Sequence, residues 1–161
     1  MQPFNGILKV KIIEGADLVA RDLMSSDPYV VLSIGHHEVR TPTVKRSLNP
    51  VWEQDLTLPT FEPLLPLKLS VYDKDTFTVD DEMGEAQIDL APLIGAVKQQ
   101  SHTTFKNDVI RRIVATKENS LARDSIIKLR DGMLVQELCV KLQNVESGKI
   151  ELELMWQHYS K

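Results

Sequence analysis

A single cysteine, Cys139, occurs in 161 residues, so no disulfide can form within the chain, which fits a reducing compartment. No apolar run approaches the length of a membrane-spanning helix. The opening Met1-Gln2-Pro3 brings no basic n-region, no apolar signal core and no glycine for myristoylation. The closing His158-Tyr159-Ser160-Lys161 is no prenylation box. Any membrane contact is therefore expected to be peripheral. A Gly-x-x-x-x-Gly-Lys phosphate loop is missing, which excludes nucleotide binding by that route. Positive charge is also short: the net charge of −4 argues against a nucleic-acid partner, which needs a basic surface. There is no internal repeat and no low-complexity tract.

What is present is a series of short strands. In ILKVKIIEG, Leu8, Val10 and Ile12 alternate with Lys9 and Lys11, the period of a half-buried strand. YVVLSIG follows, then HEVRTPTV, where Pro42 predicts an edge strand or a bulge. VWEQDLTL mixes its faces, which predicts a bulge near Trp52. Leu67, Leu69 and Val71 point inward in PLLPLKLSVYD, and Ala86, Ile88 and Leu90 share one face of EAQIDL. LCVKLQNV and KIELELMW close the series across a Glu146-Ser147-Gly148 turn. Eight strands predict an all-β antiparallel sandwich within a single domain spanning 1–161. Trp52 and Trp156 belong to its core, and Cys139 reads as a buried structural thiol rather than a nucleophile.

Residues 91–133 break the rhythm. Pro92 suits the first turn of a helix through Leu93, Ile94 and Val97. Val109, Ile110, Ile113 and Val114 recur at helical spacing after a candidate cap at Asn107. IIKLRDG reads as a short strand ending in an Asp-Gly turn. The whole segment reads as a partly helical insertion packed against the sandwich.

The chemistry lies in two acidic loops. Asp22 and Asp27 follow the first strand; Asp73, Asp75 and Asp81 follow a later one. Asp73 and Asp75 are two apart and point the same way in extended chain, and Asp81 is far enough on for the chain to fold back. If the loops meet at one end of the sandwich, the five carboxylates repel one another unless a hard cation sits between them. Calcium, with its six to eight oxygen ligands and flexible geometry, fits best. An EF-hand does not fit: counted from Asp73, its glycine position is Thr78 and its glutamate position is Gly84. Asp73-Lys74-Asp75-Thr76 resembles a phosphate-transfer nucleophile motif, but that chemistry needs a parallel α/β fold. Between the aspartates stand Leu23, Met24, Phe77 and Val79, apolar tips suited to entering a bilayer; the alternative is that Phe77 and Leu23 fold back to cap the sandwich. A pair of calcium ions would nearly cancel the aspartate charge and leave coordination positions open to lipid phosphate. His36 and His37 read as solvated, and neither they nor His102 and His158 show transition-metal spacing.

The stretches SDPYV, SLNPVW and VYDKDTFTVDDEMGEAQIDL resemble, in this order, a C2 domain, the calcium-dependent phospholipid-binding β-sandwich. Because the first strand leads straight into an acidic loop, the resemblance is to the type II permutation. It implies calcium ligation by Asp22, Asp27, Asp73, Asp75 and Asp81, helped by the backbone carbonyls of Arg21 and Lys74. ARDLMSSDPYVVLSIG and DKDTFTVDDEMGEAQIDL further resemble the plant C2-domain abscisic-acid-related proteins, single C2 domains with an insertion before the last two strands. That resemblance implies docking to anionic phospholipid membrane and recruitment of an abscisic-acid receptor. It also implies stimulation of an unconventional G protein that hydrolyses GTP and ATP. The implied role is that of an adaptor, not an enzyme, in the cytoplasm and at the plasma membrane, with the nucleus left open. Partner recognition would fall in the insertion, where Arg111 and Arg112 could supply an arginine finger but read better as a polar helix face. A basic patch is reduced to Arg40, Lys45 and Arg46, since Val31, Ser33 and Pro42 stand where relatives often carry basic residues. Generic anionic lipid is therefore expected to suffice. The rival is a protein-interaction scaffold whose loops bind calcium only for structure.

Overall fold

The computed structural model describes residues 4–22, 24–99 and 109–159. Among these described residues, ten antiparallel strands and one helix follow in the order β1 (Phe4–Ala16), β2 (Pro28–Ile34), β3 (His37–Arg40), β4 (Val51–Phe61), β5 (Leu67–Asp73), β6 (Asp81–Ile88), α1 (Ala91–Lys98), β7 (Val109–Ile113), β8 (Ser125–Arg130), β9 (Met133–Lys141) and β10 (Lys149–His158). They form a six-stranded sheet, β4-β1-β10-β9-β8-β7, facing a four-stranded sheet, β3-β2-β5-β6. The eight expected strands are all present.

Period-two alternation explains the sandwich. Leu8, Val10 and Ile12 of β1, Leu67, Leu69 and Val71 of β5, and Ile150, Leu152, Leu154 and Trp156 of β10 are buried in one core cluster. Trp52 and Trp156 lie in that core, each with its indole N–H satisfied, on Pro42 O at 3.1 Å and on Thr60 Oγ1 at 2.9 Å. The expected bulge lies at Trp52-Glu53. Ile12 pairs with Gln54 and Glu14 with Val51, so β4 carries an extra residue there, and Glu53 adopts φ 46°. β3 is an edge strand and ends two residues before Pro42. Cys139 is buried on the sheet face opposite Leu138 and Val140, and burial pushes its thiol pKa up.

The insertion departs from expectation. Helix α1 forms where Pro92 predicts it, with Leu93 and Ile94 buried. The helical spacing over Val109–Val114 does not make a helix. Residues 109–113 form β7, and the residues expected on one helix face are largely exposed. A run of β-branched residues prefers the pleat when a free sheet edge is available, and β8 provides that edge. Asn107 and His102 lie outside the described residues. The Asp-Gly turn is as expected: Asp131 (φ 51°) and Gly132 (φ 82°) join β8 to β9 with Arg130 opposite Met133. Among the described residues of the insertion, α1 packs on the sandwich as an added layer. β7 and β8 instead lengthen the six-stranded sheet. Arg111 and Arg112 accordingly sit on a strand, Arg112 3.8 Å from Asp124, and not on a helix face. Among the described residues no helix is long and apolar enough to cross a membrane.

Strand register fixes which connections share an end. Ala16 lies opposite Lys149, Glu14 opposite Val51, Pro28 opposite Asp73 and Asp73 opposite Asp81. The 17–27, 41–50, 74–80 and 142–148 connections therefore all emerge at one apex.

Candidate metal centre

Asp27 stitches three of the four connections at this apex. Its N–H donates to Asp73 Oδ1 at 2.8 Å, its Oδ1 accepts the Arg46 N–H at 2.7 Å, and its carbonyl accepts the Lys74 N–H at 2.9 Å. Ser26, absent from the sequence reading, secures the first loop from below. Its buried hydroxyl accepts the Arg21 N–H at 2.8 Å and donates to Val19 O at 3.1 Å. A serine inside a run of turn residues gives no sequence signal that separates this role from ordinary loop polarity.

Asp22, Asp27 and Asp73 each bring a carboxylate oxygen within 4.8 Å of the others. Asp73 is 2% exposed, and its pKa is pushed up to about 6. Burial is the main cause. A bond to Asp22 and the charges of Asp22 and Asp27 add to it, while the Asp27 N–H opposes it. A carboxylate held this way is a poor lone anion and a ready partner for a cation. Three convergent acidic oxygens fit a hard, oxygen-loving ion.

Asp75 and Asp81 stand outside that cluster. Asp75 Oδ1 is turned to its own loop, accepting the N–H groups of Phe77 at 3.0 Å and Thr78 at 3.3 Å. These bonds hold its carboxyl below the usual range. Asp81 is exposed and opens β6 opposite Asp73. The sequence reading also passed over Asp80, whose carboxylate accepts the Tyr29 hydroxyl and the Asp75 N–H. Arg21 sends its side chain sideways, donating from Nε to Glu82 O at 3.1 Å and lying 3.9 Å from Glu146. Lys74 lies 3.9 Å from Asp80.

Around the carboxylates stand apolar tips. Met24 is 91%, Phe77 93% and Val79 88% exposed, so Phe77 does not fold back to cap the sandwich. Leu23 lies outside the described residues. The basic residues are dispersed. Arg40 lies on edge strand β3, 5.4 Å over the Tyr29 ring and 3.6 Å from Glu38, while Lys45 and Arg46 are exposed in the 41–50 connection. His36 and His37 are exposed at the β2–β3 turn, and His158 stacks edge-on against Trp156.

The described geometry agrees with three comparisons. A family model described as C2 domain matches residues 6–107. Protein C2-DOMAIN ABA-RELATED 6 of Arabidopsis thaliana is 43% identical over 156 residues, covering 97% of this chain and 90% of that protein. GTPase activating protein 1 of Oryza sativa subsp. japonica is 41% identical over 151 residues, covering 94% of this chain and 91% of that protein. Among solved structures, the calcium-bound pair of C2 domains of extended synaptotagmin 2 superposes with a TM-score of 0.65 at 22% identity, over 97% of this chain and 47% of that one. That likeness concerns the fold.

Proposed function

This chain belongs to the C2 domain family, in its C2-domain ABA-related branch, and on that premise we propose that it docks on anionic phospholipid membranes when calcium binds its apex. One observation carries the reading: three carboxylates within 4.8 Å of one another share an apex with apolar side chains about nine-tenths exposed. Without a cation, that cluster repels an anionic surface. With calcium bound by Asp22, Asp27 and Asp73, by the second carboxylate oxygen of Asp75 and by Asp81, the charge of the apex approaches neutral. Open coordination positions can then take lipid phosphate oxygens while Met24, Phe77, Val79 and Leu23 enter the acyl boundary. Burying a Phe side chain contributes roughly 1.5–3 kcal/mol. Arg40, Lys45 and Arg46 add attraction without a dense patch, so phosphatidylserine serves as well as a phosphoinositide.

The test is co-sedimentation with phosphatidylserine vesicles in calcium and in chelator. Binding confined to calcium is expected; equal or stronger binding in chelator overturns the reading. Docking carries a signalling partner to the plasma membrane from the cytoplasm. The name of the Arabidopsis relative supports a link to abscisic acid, and the family resemblance makes an abscisic-acid receptor the partner to test, with residues 91–133 offering the surface. The name of the rice relative favours a second activity, GTPase activation, and the family resemblance makes an unconventional G protein that hydrolyses GTP and ATP the target to test. Adding the pure chain to that G protein and following hydrolysis decides it. If calcium binds yet the chain stays off the vesicles, the scaffold reading stands in place of docking.

A further inference from the structure

Asp80 is an acidic residue at the apex that the calcium assignment leaves unused. It closes the 74–80 connection, between the exposed Val79 and the start of β6. Its side chain is only 16% exposed, and both of its oxygens are engaged. Oδ1 accepts the Asp75 N–H at 2.8 Å, and Oδ2 accepts the hydroxyl of Tyr29, a residue 51 positions earlier. Tyr29 is itself fixed. It is buried in β2, stacks on Tyr72 with centroids 5.7 Å apart, and lies under the Arg40 guanidinium.

The two bonds do different things. The bond to Asp75 closes residues 75–80 into a ring, and inside that ring Asp75 Oδ1 collects the N–H groups of Phe77 and Thr78. This leaves the Phe77 and Val79 side chains pointing away from the protein. The bond to Tyr29 ties the ring to the strand that starts next to Asp27. The apolar tip is thus referenced to the carboxylate cluster by a residue outside that cluster. A loop already held in its working shape has little conformational entropy left to lose when cation and lipid arrive.

We propose that Asp80 is a positioning residue that, through Asp75 and Tyr29, holds the second loop in its membrane-facing shape before any cation binds. The proposal rests on the docking reading above and adds the means by which the tip is held.

The full chain is compared with Asp80→Ala, Asp80→Asn and Tyr29→Phe. Asn keeps an acceptor for the Asp75 N–H and can reverse the bond to Tyr29 by donating to it. Ala loses both bonds, and Phe at 29 loses only the second. In chelator, amide hydrogen exchange at Asp75, Phe77 and Thr78 is expected to be about tenfold faster in Asp80→Ala, a few-fold faster in Tyr29→Phe and near wild type in Asp80→Asn. The calcium needed for half-maximal binding to phosphatidylserine vesicles should rise in the same order. Equal exchange in all four proteins overturns the proposal. So does a calcium requirement that rises alike in Asp80→Ala and Asp80→Asn but not in Tyr29→Phe, which marks a direct ligand. A lower melting temperature with unchanged exchange at the tip marks a scaffold role and overturns it too. The exchange arm uses neither calcium nor vesicles, so wild-type failure to bind vesicles sinks the docking reading while exchange still decides the role of Asp80.

Discussion

The acidic apex and the 91–133 insertion are held by different forces. At the apex, loops are joined by polar bonds between side chain and backbone: Asp27 to Asp73 and Arg46, Ser26 to Arg21 and Val19, Asp80 to Asp75 and Tyr29. The insertion is held by apolar burial and strand pairing, with Leu93, Ile94, Leu121, Ile127 and Leu129 in the common core and β8 laddered to β9. From this contrast the apex is expected to lose charge without losing the fold, and the insertion to weaken the fold when it loses bulk. The insertion's Leu121 reaches a bridge with Val140, and Ser120 O accepts the Lys141 N–H at 2.7 Å, so it is tied to the C-terminal end of β9 as well as laddered along β9 from Met133 through β8.

The largest expected effect cuts the apex away from the rest. Replacing Asp22 and Asp27 together by Ala removes two of three converging carboxylates. Calcium affinity should fall by roughly a thousandfold, about 4 kcal/mol, given how steeply affinity follows ligand charge. The side-chain bond from Asp27 to the Arg46 N–H is lost, but the Asp27 N–H to Asp73 bond belongs to the backbone and no core residue is touched, so the circular dichroism spectrum should not change. Titration calorimetry beside the spectrum checks both. Loss of the folded spectrum would mean that the apex carries the fold, which favours the scaffold reading.

Next in size is the converse change in the insertion. Ile127 in β8 is fully buried. Ile127→Ala should cost about 3 kcal/mol in urea unfolding, through lost transfer energy and the cavity left behind. Vesicle binding per folded molecule should not move. A loss below about 0.5 kcal/mol would return the insertion to the status of a peripheral appendage.

The same contrast explains what was legible in the sequence. The sandwich strands show themselves because alternation along Leu8-Val10-Ile12 or Ile150-Leu152-Leu154 is a local signal that burial enforces. The aspartates show themselves because their chemistry has few other uses in such density. The strand at 109–113 was hidden because Val109, Ile110, Ile113 and Val114 match a helical stripe as well as they fill a strand. The deciding factor, the free edge of β8, is tertiary. Asp80 was hidden for a related reason. Two neighbouring aspartates look alike in sequence, and only the fold brings the Tyr29 hydroxyl across 51 positions to one of them. Asp75 shows the same limit, since spacing placed it beside Asp73 but its Oδ1 serves the loop tip.

A smaller effect isolates the tip from the carboxylates. Phe77→Ala removes an exposed ring without touching any oxygen of Asp22, Asp27 or Asp73. Calcium affinity without lipid should be unchanged, and vesicle affinity should fall by about 2 kcal/mol, the worth of one buried aromatic side chain. Equal vesicle binding by wild type and Phe77→Ala would show that phosphate bridging alone carries the contact.

The last expected effect is a pH dependence with opposite signs in the two states of the apex. The folded pKa of Asp73 is raised from 3.8 to about 6. In chelator the folded chain therefore binds a proton more tightly than the unfolded chain does. The stabilising contribution of this group is complete below pH 3.8 and is lost as pH rises through 6. Asp75, Asp80 and Glu153 are shifted downward and act in the other direction, losing their contribution as pH falls. The Asp73 part is therefore read as the difference between wild type and Asp73→Asn, which keeps an acceptor for the Asp27 N–H. The variant should gain stability relative to wild type as pH rises from 4 to 6 and hold that gain above it. With calcium the sign reverses. The proton on Asp73 competes with the ion, so the calcium needed for half-saturation should climb by up to about tenfold for each pH unit below 6, and stay flat above. A half-saturation value that does not change between pH 5 and pH 7 would remove Asp73 from the set of ligands and leave the apex without its buried member.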